Sequence, residues 1–278
     1  MSNYRVKSFA KINLGLKILD ERSDSFHNIK SIFIRISLHD ILEFNQSEKF
    51  QFKCNQKKIP TNNKNTIYKA YNILNNLYSF NTQYAITLHK SIPLLSGMGG
   101  GSSNAAATLI ALNKLNKLNL KKEQLIDLGL QIGSDVPFFI KEQKIKQITG
   151  RGEILKNHSA PNLKSIYFLL IFPKFSISTA WAYKKIKKTL DYSTYIPKFP
   201  ALDDNVDWKL FENDFEKVVG STYPEIFEIK EDLMNNGALY SSLSGSGSTM
   251  FGIYNNKQFI KQAQDKLKNY NTLIVSPT

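Results

Sequence analysis

The sequence predicts an α+β fold of two domains, in which helices pack on one side of mainly antiparallel sheets. Residues 12–18 alternate between apolar and polar side chains, which is the period of a half-buried strand, and Lys11 and Asn13 share its polar face. Residues 166–172 form a continuous apolar run that is typical of a central strand. We place the boundary near Pro161, which gives domains at 1–160 and 161–278.

The other predicted elements follow from apolar periodicity and from turn residues. In the first half we predict strands at 32–38, 41–44 and 84–88, helices at 66–77, 105–115 and 122–132, a loop at 133–137, and an apolar strand at 138–140. In the second half we predict a helix at 179–190, an irregular segment at 191–207, a helix at 225–235, strands at 238–243 and 249–254, a helix at 257–267, and a strand at 273–275.

Composition is that of a folded protein with a sizeable core: 278 residues, 42% hydrophobic and 22% charged. The single cysteine, Cys54, excludes an intramolecular disulfide and a cysteine-built metal cluster, which suits a reducing compartment. The first ten residues lack the apolar core of a signal peptide, and no apolar stretch approaches the roughly 20 residues that span a bilayer. We therefore expect a cytoplasmic protein without a membrane partner.

The formal net charge of +14 favours phosphorylated small molecules or polyanions as partners. The lysines are scattered along the chain and many lie beside asparagine, so the charge does not outline a nucleic-acid surface. Nucleic acid is therefore not the favoured partner. An RNA-binding protein stays open as an alternative and would show salt-sensitive RNA affinity.

A glycine-rich segment at 97–101 predicts a phosphate-binding loop. It holds four of the fourteen glycines directly before a helix-forming run. Glycine lets successive backbone N–H groups approach an anion, and a helix N-terminus favours a phosphate. Ser102, Ser103 and Asn104 are expected to cap a helix that opens at Ala105. The chain contains no Gly-Lys dipeptide and no Gly-x-Gly-x-x-Gly, so this is neither a P-loop nor a dinucleotide fingerprint.

Three segments together resemble the motifs of the GHMP kinase superfamily. They are Phe-Ala-Lys-Ile-Asn-Leu at 9–14, the glycine-rich loop with its flanks at 93–106, and Leu-Ser-Gly-Ser-Gly-Ser-Thr at 243–249. The resemblance implies an N-terminal domain like the second domain of ribosomal protein S5, a ferredoxin-like C-terminal domain, and ATP-dependent phosphorylation of a small molecule.

Smaller matches resemble one branch, the kinases of 4-diphosphocytidyl-2-C-methyl-D-erythritol. They include Gly-Ser-Asp-Val-Pro-Phe-Phe at 133–139, Gly-Arg-Gly-Glu at 150–153 and Asn-Asp-Phe-Glu at 213–216. The resemblance implies phosphorylation of the 2-hydroxyl of that cytidine-diphosphate-linked substrate in the non-mevalonate (MEP) pathway to isoprenoids. Two alternatives stay open: another GHMP kinase of the homoserine or mevalonate type, and a non-catalytic binding or sensor protein on the same fold.

Phosphoryl transfer requires an acceptor for the hydroxyl proton and charge compensation at the γ-phosphate. The resemblance makes Asp135 the base and pairs it with Lys11, while Asn13 orients the acceptor hydroxyl or Lys11. It implies Mg²⁺ between the β- and γ-phosphates, with Ser102 or Ser103 as the protein ligand. The residues that it assigns to ATP are Asn65, Lys90, Pro93, Gly97, Met98, Gly99, Gly100, Gly101, Ser102, Ser103 and Asn104.

The acceptor's cytidine is expected to be bound by aromatic stacking and by contacts to the base edge. The resemblance assigns this role to Phe26, His27, Tyr183 and Lys184, and it lets Gly245, Ser246 and Gly247 back the phosphates or cover the site. The family commonly has Gly-Tyr-His where this chain has Ser-Phe-His at 25–27, so stacking is kept and a tyrosine hydroxyl is lost. We expect a monomer or a homodimer.

Overall fold

Two compact units, each built from several segments, make up the chain. The computed structural model describes residues 4–141, 143–186 and 198–278. The first unit comprises Met1–Ala10, Leu38–Pro93 and Gly99–Gln143, and the second comprises Lys11–Ser37, Leu94–Met98 and Lys144–Thr278. The division at residue 160 stays a prediction about domains.

The described residues form strands and helices in mixed order, as expected for an α+β fold. The strands are β1 Tyr4–Glu21, β2 His27–Ser47, β3 Gln51–Cys54, β4 Gln83–His89, β5 Ile145–Thr149, β6 Ile154–Lys156, β7 Tyr167–Phe172, β8 Tyr240–Leu243, β9 Met250–Tyr254 and β10 Asn271–Val275. The helices are α1 Thr66–Tyr78, α2 Gly100–Leu115, α3 Lys122–Ile132, α4 Val136–Ile140, α5 Thr179–Ile186, α6 Phe215–Gly220, α7 Glu225–Asn235 and α8 Lys257–Lys266. None of the helices in the described ranges has the length and apolar character that a membrane span requires.

In the first unit, helices pack on one another beside a short run of sheet. Residues 41–47 of β2 pair antiparallel with β4, and β3 pairs parallel with β4. The helix α1 packs against α2, and the short α4 packs against both α2 and α3. The α1 N-terminus is fixed by Asn65, whose Oδ1 accepts from the Ile67 backbone N–H.

The second unit contains a four-stranded antiparallel sheet in the order β10-β7-β9-β8. The helices α7 and α8 pack on this sheet, and they bury Ile229, Leu233 and Ile260 in one apolar core. In the same unit, residues 31–34 of β2 pair antiparallel with β5, which pairs with β6.

Most of the predicted elements are confirmed, because their apolar periods are long. The helices α3 and α7 have the predicted bounds, and α1, α8, β4 and β7 differ by one or two residues at their ends. The predicted strands at 32–38 and 41–44 are parts of the single long β2. Residues 187–197 of the predicted helix at 179–190 and irregular segment at 191–207 lie outside the described residues.

Three local predictions are wrong. The segment at 138–140 and the last two residues of the predicted loop at 133–137 are helical within α4, which packs against α2 and α3; Pro137 is tolerated there because its missing N–H costs nothing in the first turn. The helix α2 begins at Gly100 with Gly99 as its cap, so Ser102, Ser103 and Asn104 lie inside the helix instead of capping it. The strand at 12–18 is buried on both faces, since Lys11 and Asn13 have polar partners inside the protein.

A buried ion pair ties β2 to the end of β4 and to α2. Asp40 is completely buried, and its Oδ2 accepts from Lys90 Nζ at 2.7 Å and from Asn104 Nδ2 at 2.9 Å. Its Oδ1 accepts from the backbone N–H groups of Ser91 and Ile92, each at 2.8 Å. Lys90 also donates to the Ile92 carbonyl at 2.6 Å. One carboxylate therefore fixes the segment after β4 and the first turns of α2.

We expect Asp40→Asn to lower the free energy of unfolding by about 3–5 kcal/mol at neutral pH, because it leaves the buried Lys90 ammonium without its counter-charge. Burial lowers the pKa of Lys90 and Asp40 raises it, so the variant's Lys90 pKa falls further. Above that pKa the folded state binds fewer protons than the unfolded state, so stability rises with pH. The loss should therefore shrink as the pH rises above neutral towards the ordinary lysine pKa of about 10.4, as measured by urea unfolding.

The matched control is Asp265→Asn. Asp265 is exposed near the end of α8 and pairs at 3.5 Å with Lys268, which is exposed just beyond the helix. An exposed pair contributes only about 0–1 kcal/mol. A loss in Asp40→Asn that is no larger than in this control, or that stays constant with pH, would contradict the role of the buried pair.

Candidate active site

Lys11 lies on β1 in the second unit, where it is held in one orientation. Its side chain is only 4% exposed, and its Nζ donates to the Gly97 carbonyl at 2.9 Å and to Asn13 Oδ1. The ammonium also lies 4.5 Å from the centre of the Phe33 ring, a cation–π distance. This lysine is therefore a buried, oriented cation and not a solvated strand residue.

Asn13 links this lysine to the rest of the cluster. Its Nδ2 donates to Ser31 Oγ at 3.0 Å, and Ser31 in turn donates to the Gly15 carbonyl at 2.6 Å. The backbone N–H of Asn13 donates to Ser244 Oγ at 3.3 Å. The contact between Asn13 and Lys11 is the one expected of a side chain that orients the lysine.

The two glycine-rich segments approach each other closely within the second unit. A β-carbon built on Gly97 would lie 1.9 Å from the Ser244 carbonyl oxygen, and Gly97 has a φ of +73°. A β-carbon on Gly245 would lie 3.1 Å from Asn13 Oδ1 and 3.6 Å from Lys11 Nζ. The structure therefore brings Lys11, Asn13, Gly97 and Gly245 together, and glycine is required at 97 by both space and conformation.

In the first unit, the glycine-rich segment forms the beginning of α2. Gly99 caps the helix with a φ of 68° and accepts from the Ser103 N–H at 2.9 Å, and Thr66 Oγ1 donates to the Gly101 carbonyl. Gly99 has no side chain with which to cap the helix, and the first N–H groups of any helix have no acceptor within the helix itself. This arrangement suits an anion at the helix N-terminus.

Side chains near this helix end differ in what they contact. Ser103 is 2% exposed, and its Oγ accepts from Ser8 Oγ at 2.7 Å, whereas Ser102 is only partly buried. Asn65 and Lys90, both assigned to ATP by resemblance, use their side chains inside the fold: Asn65 caps α1 and Lys90 pairs with Asp40. Pro93 and Met98 lie on either side of the division between the units.

Asp135 lies in the first unit at the N-terminal end of α4 and is partly buried. Helix α4 packs against α2, and a β-carbon on Gly133 would lie 3.8 Å from Ser102 Oγ. The Gly-Ser-Asp loop therefore lies beside the start of α2. Lys11 belongs to the other unit, so its pairing with Asp135 stays a prediction.

Aromatic side chains assigned to the cytidine contact one another in the second unit. His27 is buried, and its ring stacks on Tyr183 with 5.3 Å between centroids and 27° between planes. Phe26 is 51% exposed, and the Arg151 guanidinium lies 5.1 Å from its ring centre. Lys184 is exposed on α5. The structure thus joins His27 to Tyr183 and leaves a face of Phe26 to solvent.

The loop between β8 and β9 carries the last three predicted substrate residues, Gly245, Ser246 and Gly247. Ser246 Oγ lies 3.1 Å from Thr179 Oγ1 at the start of α5. Gly245 and Gly247 both have positive φ, at 57° and 85°. The loop is buried, so it is not a plain solvent-exposed hairpin turn.

Sequence reasoning missed three polar side chains that shape these clusters: Asp40, Ser31 and Asn213. The sequence did contain one sign of the role of Asp40. This residue interrupts an apolar β pattern, and a carboxylate buried there needs a partner. Asn213 stood in a motif that matched the family but had no role. Ser31 gives no signal in the sequence.

Comparisons with known proteins cover both halves of the chain. The family model described as "GHMP kinases N terminal domain" matches residues 65–143, and "GHMP kinases C terminal" matches residues 201–272. Among curated proteins, 4-diphosphocytidyl-2-C-methyl-D-erythritol kinase of Thermodesulfovibrio yellowstonii is 40% identical over 95% of this chain and 94% of its own length. The protein of the same name from Thermoanaerobacter pseudethanolicus is 37% identical over 100% of this chain and 97% of its own.

A solved structure with the same architecture is a crystal structure of 4-(cytidine 5'-diphospho)-2C-methyl-D-erythritol kinase. It superimposes with a TM-score of 0.79 at 25% identity, and the match covers 99% of this chain and 100% of the other. The predicted two-domain kinase fold is confirmed by this match and by the two family models. The chain therefore belongs to the GHMP kinase family and is an ATP-dependent small-molecule kinase.

Proposed function

We propose that this kinase phosphorylates the 2-hydroxyl of 4-diphosphocytidyl-2-C-methyl-D-erythritol with ATP, in the non-mevalonate (MEP) pathway to isoprenoids. The observation that carries the proposal is the likeness to relatives of that name over nearly the full length of both chains. The stacked His27 and Tyr183 rings support it independently, because homoserine and mevalonate have no base for an aromatic site to bind.

The cytosine ring is bound by stacking and by its edge. Phe26 offers an exposed aromatic face, and Tyr183, which His27 and Phe215 cover in part, offers the part of its ring that stays accessible. Base–aromatic stacking contributes about 1–3 kcal/mol per base. His27 is held against Tyr183, so its ring nitrogens have a fixed direction in which to bond the base edge. Lys184 and Arg151 offset the negative charge of the diphosphate.

The transferred phosphoryl group is stabilised by Lys11 and by the amides at the start of α2. Lys11 is pre-oriented by the Gly97 carbonyl and by Asn13, so it needs no rearrangement as charge develops. Asp135 accepts the proton of the acceptor hydroxyl as general base. The backbone from Gly97 to Ser103 holds the ATP phosphates.

Mg²⁺ is the metal that this chemistry requires, and when bound it offsets charge on the β- and γ-phosphates. Over residues 4–141, 143–186 and 198–278, no group of three His, Cys, Asp or Glu side chains could hold a metal. A serine hydroxyl would hold the ion together with phosphate and water oxygens. Ser102 fits this role better than Ser103, whose hydroxyl is buried against Ser8.

The first test is ADP release with ATP and Mg²⁺ on three acceptors: 4-diphosphocytidyl-2-C-methyl-D-erythritol, homoserine and mevalonate. We expect turnover of the cytidylyl substrate alone, and we expect Asp135→Asn to lower kcat by about 10²–10⁴-fold, because the amide cannot accept the proton. Folding of the variant is checked by circular dichroism.

Each contrary outcome identifies a different error. Turnover of homoserine or mevalonate would agree with a kinase but would contradict the proposed cytidine-binding site. Turnover of the cytidylyl substrate by Asp135→Asn at the wild-type rate would remove Asp135 as base. A folded wild-type protein that turns over none of the three would favour the sensor or RNA-binding alternatives.

We expect Tyr183→Leu to raise KM for the cytidylyl substrate about tenfold while KM for ATP stays constant, because only the acceptor loses a stacking surface. The matched control is Tyr223→Leu, since Tyr223 stacks on Phe175 in the same unit at 4.3 Å and has no role in the proposed site. Equal changes in the two variants, or a larger rise in KM for ATP, would contradict the stacking role.

Gly97→Ala should lower kcat/KM for ATP about 100-fold, because the added methyl group displaces the segment that holds Lys11. Gly237→Ala is the control, since Gly237 also has a positive φ, of 83°, but has no atom within 4 Å of the added carbon. The control variant therefore introduces backbone strain without the steric clash that Gly97→Ala would make with the Ser244 carbonyl. Similar kinetics in both variants would show that close approach at Gly97 is unimportant.

A further inference from the structure

We propose that Asn213 is a positioning residue for phosphoryl transfer, because it fixes the loop at 244–248 against Lys11 and Asn13. The proposal rests on the proposed function for its kinetic consequences. Asn213 opens the Asn-Asp-Phe-Glu motif, to which that function assigns no role.

The side chain of Asn213 is only 4% exposed, and its donors serve the loop. Its Nδ2 donates to the Leu243 carbonyl at 2.7 Å and to the Gly245 carbonyl at 2.9 Å. Its Oδ1 accepts from the Phe215 backbone N–H at 3.0 Å. One amide group therefore spans the point where β8 ends and the loop begins, and its own orientation is fixed by α6.

The loop needs such a partner because Leu243 and Gly245 are buried and their carbonyls need hydrogen-bond donors inside the protein. Leu243 is the last residue of β8, and Gly245 follows it in the loop with a positive φ of 57°. Buried carbonyls without partners cost free energy, so an amide that bonds two of them selects one loop conformation.

That conformation is the one that contacts the catalytic cluster. Ser244 Oγ accepts from the Asn13 N–H at 3.3 Å and donates to the Gly97 carbonyl at 3.2 Å, which is the same carbonyl that Lys11 Nζ contacts. The position of a Gly245 β-carbon lies 3.1 Å from Asn13 Oδ1. A shift of the loop by a few tenths of an ångström would therefore move the partners of Lys11.

The segment around Asn213 is also tied to the strand that carries Lys11. The Leu16 N–H donates to the Glu212 carbonyl at 2.8 Å, and the Asp214 N–H donates to the Leu16 carbonyl at 2.9 Å. Asp214 accepts from Lys17 Nζ at 3.0 Å. The motif thus bonds β1 through its backbone and through Asp214, and it bonds the loop through Asn213.

A second motif residue reinforces the same loop end. Glu216 Oε1 accepts from the Leu243 N–H at 3.0 Å and from Ser242 Oγ at 2.6 Å, and its Oε2 accepts from Lys230 at 2.6 Å. Glu216 holds the strand end, whereas Asn213 reaches the loop itself. The function of positioning Gly245 therefore belongs to Asn213.

The test is Asn213→Asp, which keeps the shape of the side chain but sets a carboxylate oxygen against two carbonyls. We expect kcat to fall at least about tenfold while KM for ATP and for the cytidylyl acceptor changes less than about threefold, since the loop acts on the transferring group. Hydrogen exchange of the peptide covering 243–249 should become faster in the absence of any substrate.

The matched control is Asn236→Asp, because Asn236 Nδ2 also donates to a carbonyl, that of Asp232 at 2.8 Å, but lies at the end of α7. It should keep wild-type kcat and wild-type exchange at 243–249. Asn213→Ser removes the amide that bonds both carbonyls, leaves only a shorter hydroxyl and adds no charge. It replaces Asn213→Asp if that variant does not fold, and the same kinetics and exchange are expected.

Normal kcat in a folded Asn213 variant, or unchanged exchange at 243–249, would overturn the proposal. A fall in kcat that Asn236→Asp matches would overturn it too, because the effect would then be general destabilisation. Turnover by the wild-type protein, measured alongside, tests the proposed function separately: an inactive wild type refutes that function. The exchange measurement then still decides whether Asn213 holds the loop.

Discussion

The completely buried carboxylate of Asp40 determines the conformation of the first unit where the end of β4 meets the start of α2. It meets an ammonium, a side-chain amide and two backbone N–H groups, so nearly all its lone pairs are used. A buried charge tolerates few arrangements, because each missing partner costs free energy. The segment after β4 and the first turns of α2 are consequently specified together, before any ligand arrives.

In the second unit a neutral side chain, the amide of Asn213, restrains a glycine-rich loop. Glycine-rich loops bind anions well because their backbone is adaptable, and the same adaptability costs entropy when the loop must hold one shape. In both units a buried polar side chain from elsewhere in the chain restrains such a segment or the helix that follows it: Asp40 bonds Asn104 in α2, and Asn213 bonds the Gly245 carbonyl. Lys11 and Asn13 gain a fixed orientation from the second of these restraints.

The sequence predicted those features that depend on short-range patterns, and missed those that depend on distant partners. Helices α3 and α7 have clear apolar periods, and the glycine-rich loop and the motif residues were found by type and spacing. The burial of Lys11 and Asn13 was missed, because it depends on Ser31, Gly97 and Ser244. Residues 138–140 were assigned to a strand because three apolar residues fit either period, and packing against α2 and α3 decides for the helix.

The segmented make-up of the two units has a consequence for biosynthesis. All segments of the first unit precede residue 144, so its contacts can form while the second half of the chain is still being translated. Residues 11–37 belong to the second unit, and the Asn13 N–H bonds Ser244, which lies 231 residues further along the chain. Lys11 therefore emerges from the ribosome well before the loop at 244–248, and its final environment exists only after that loop has been synthesised.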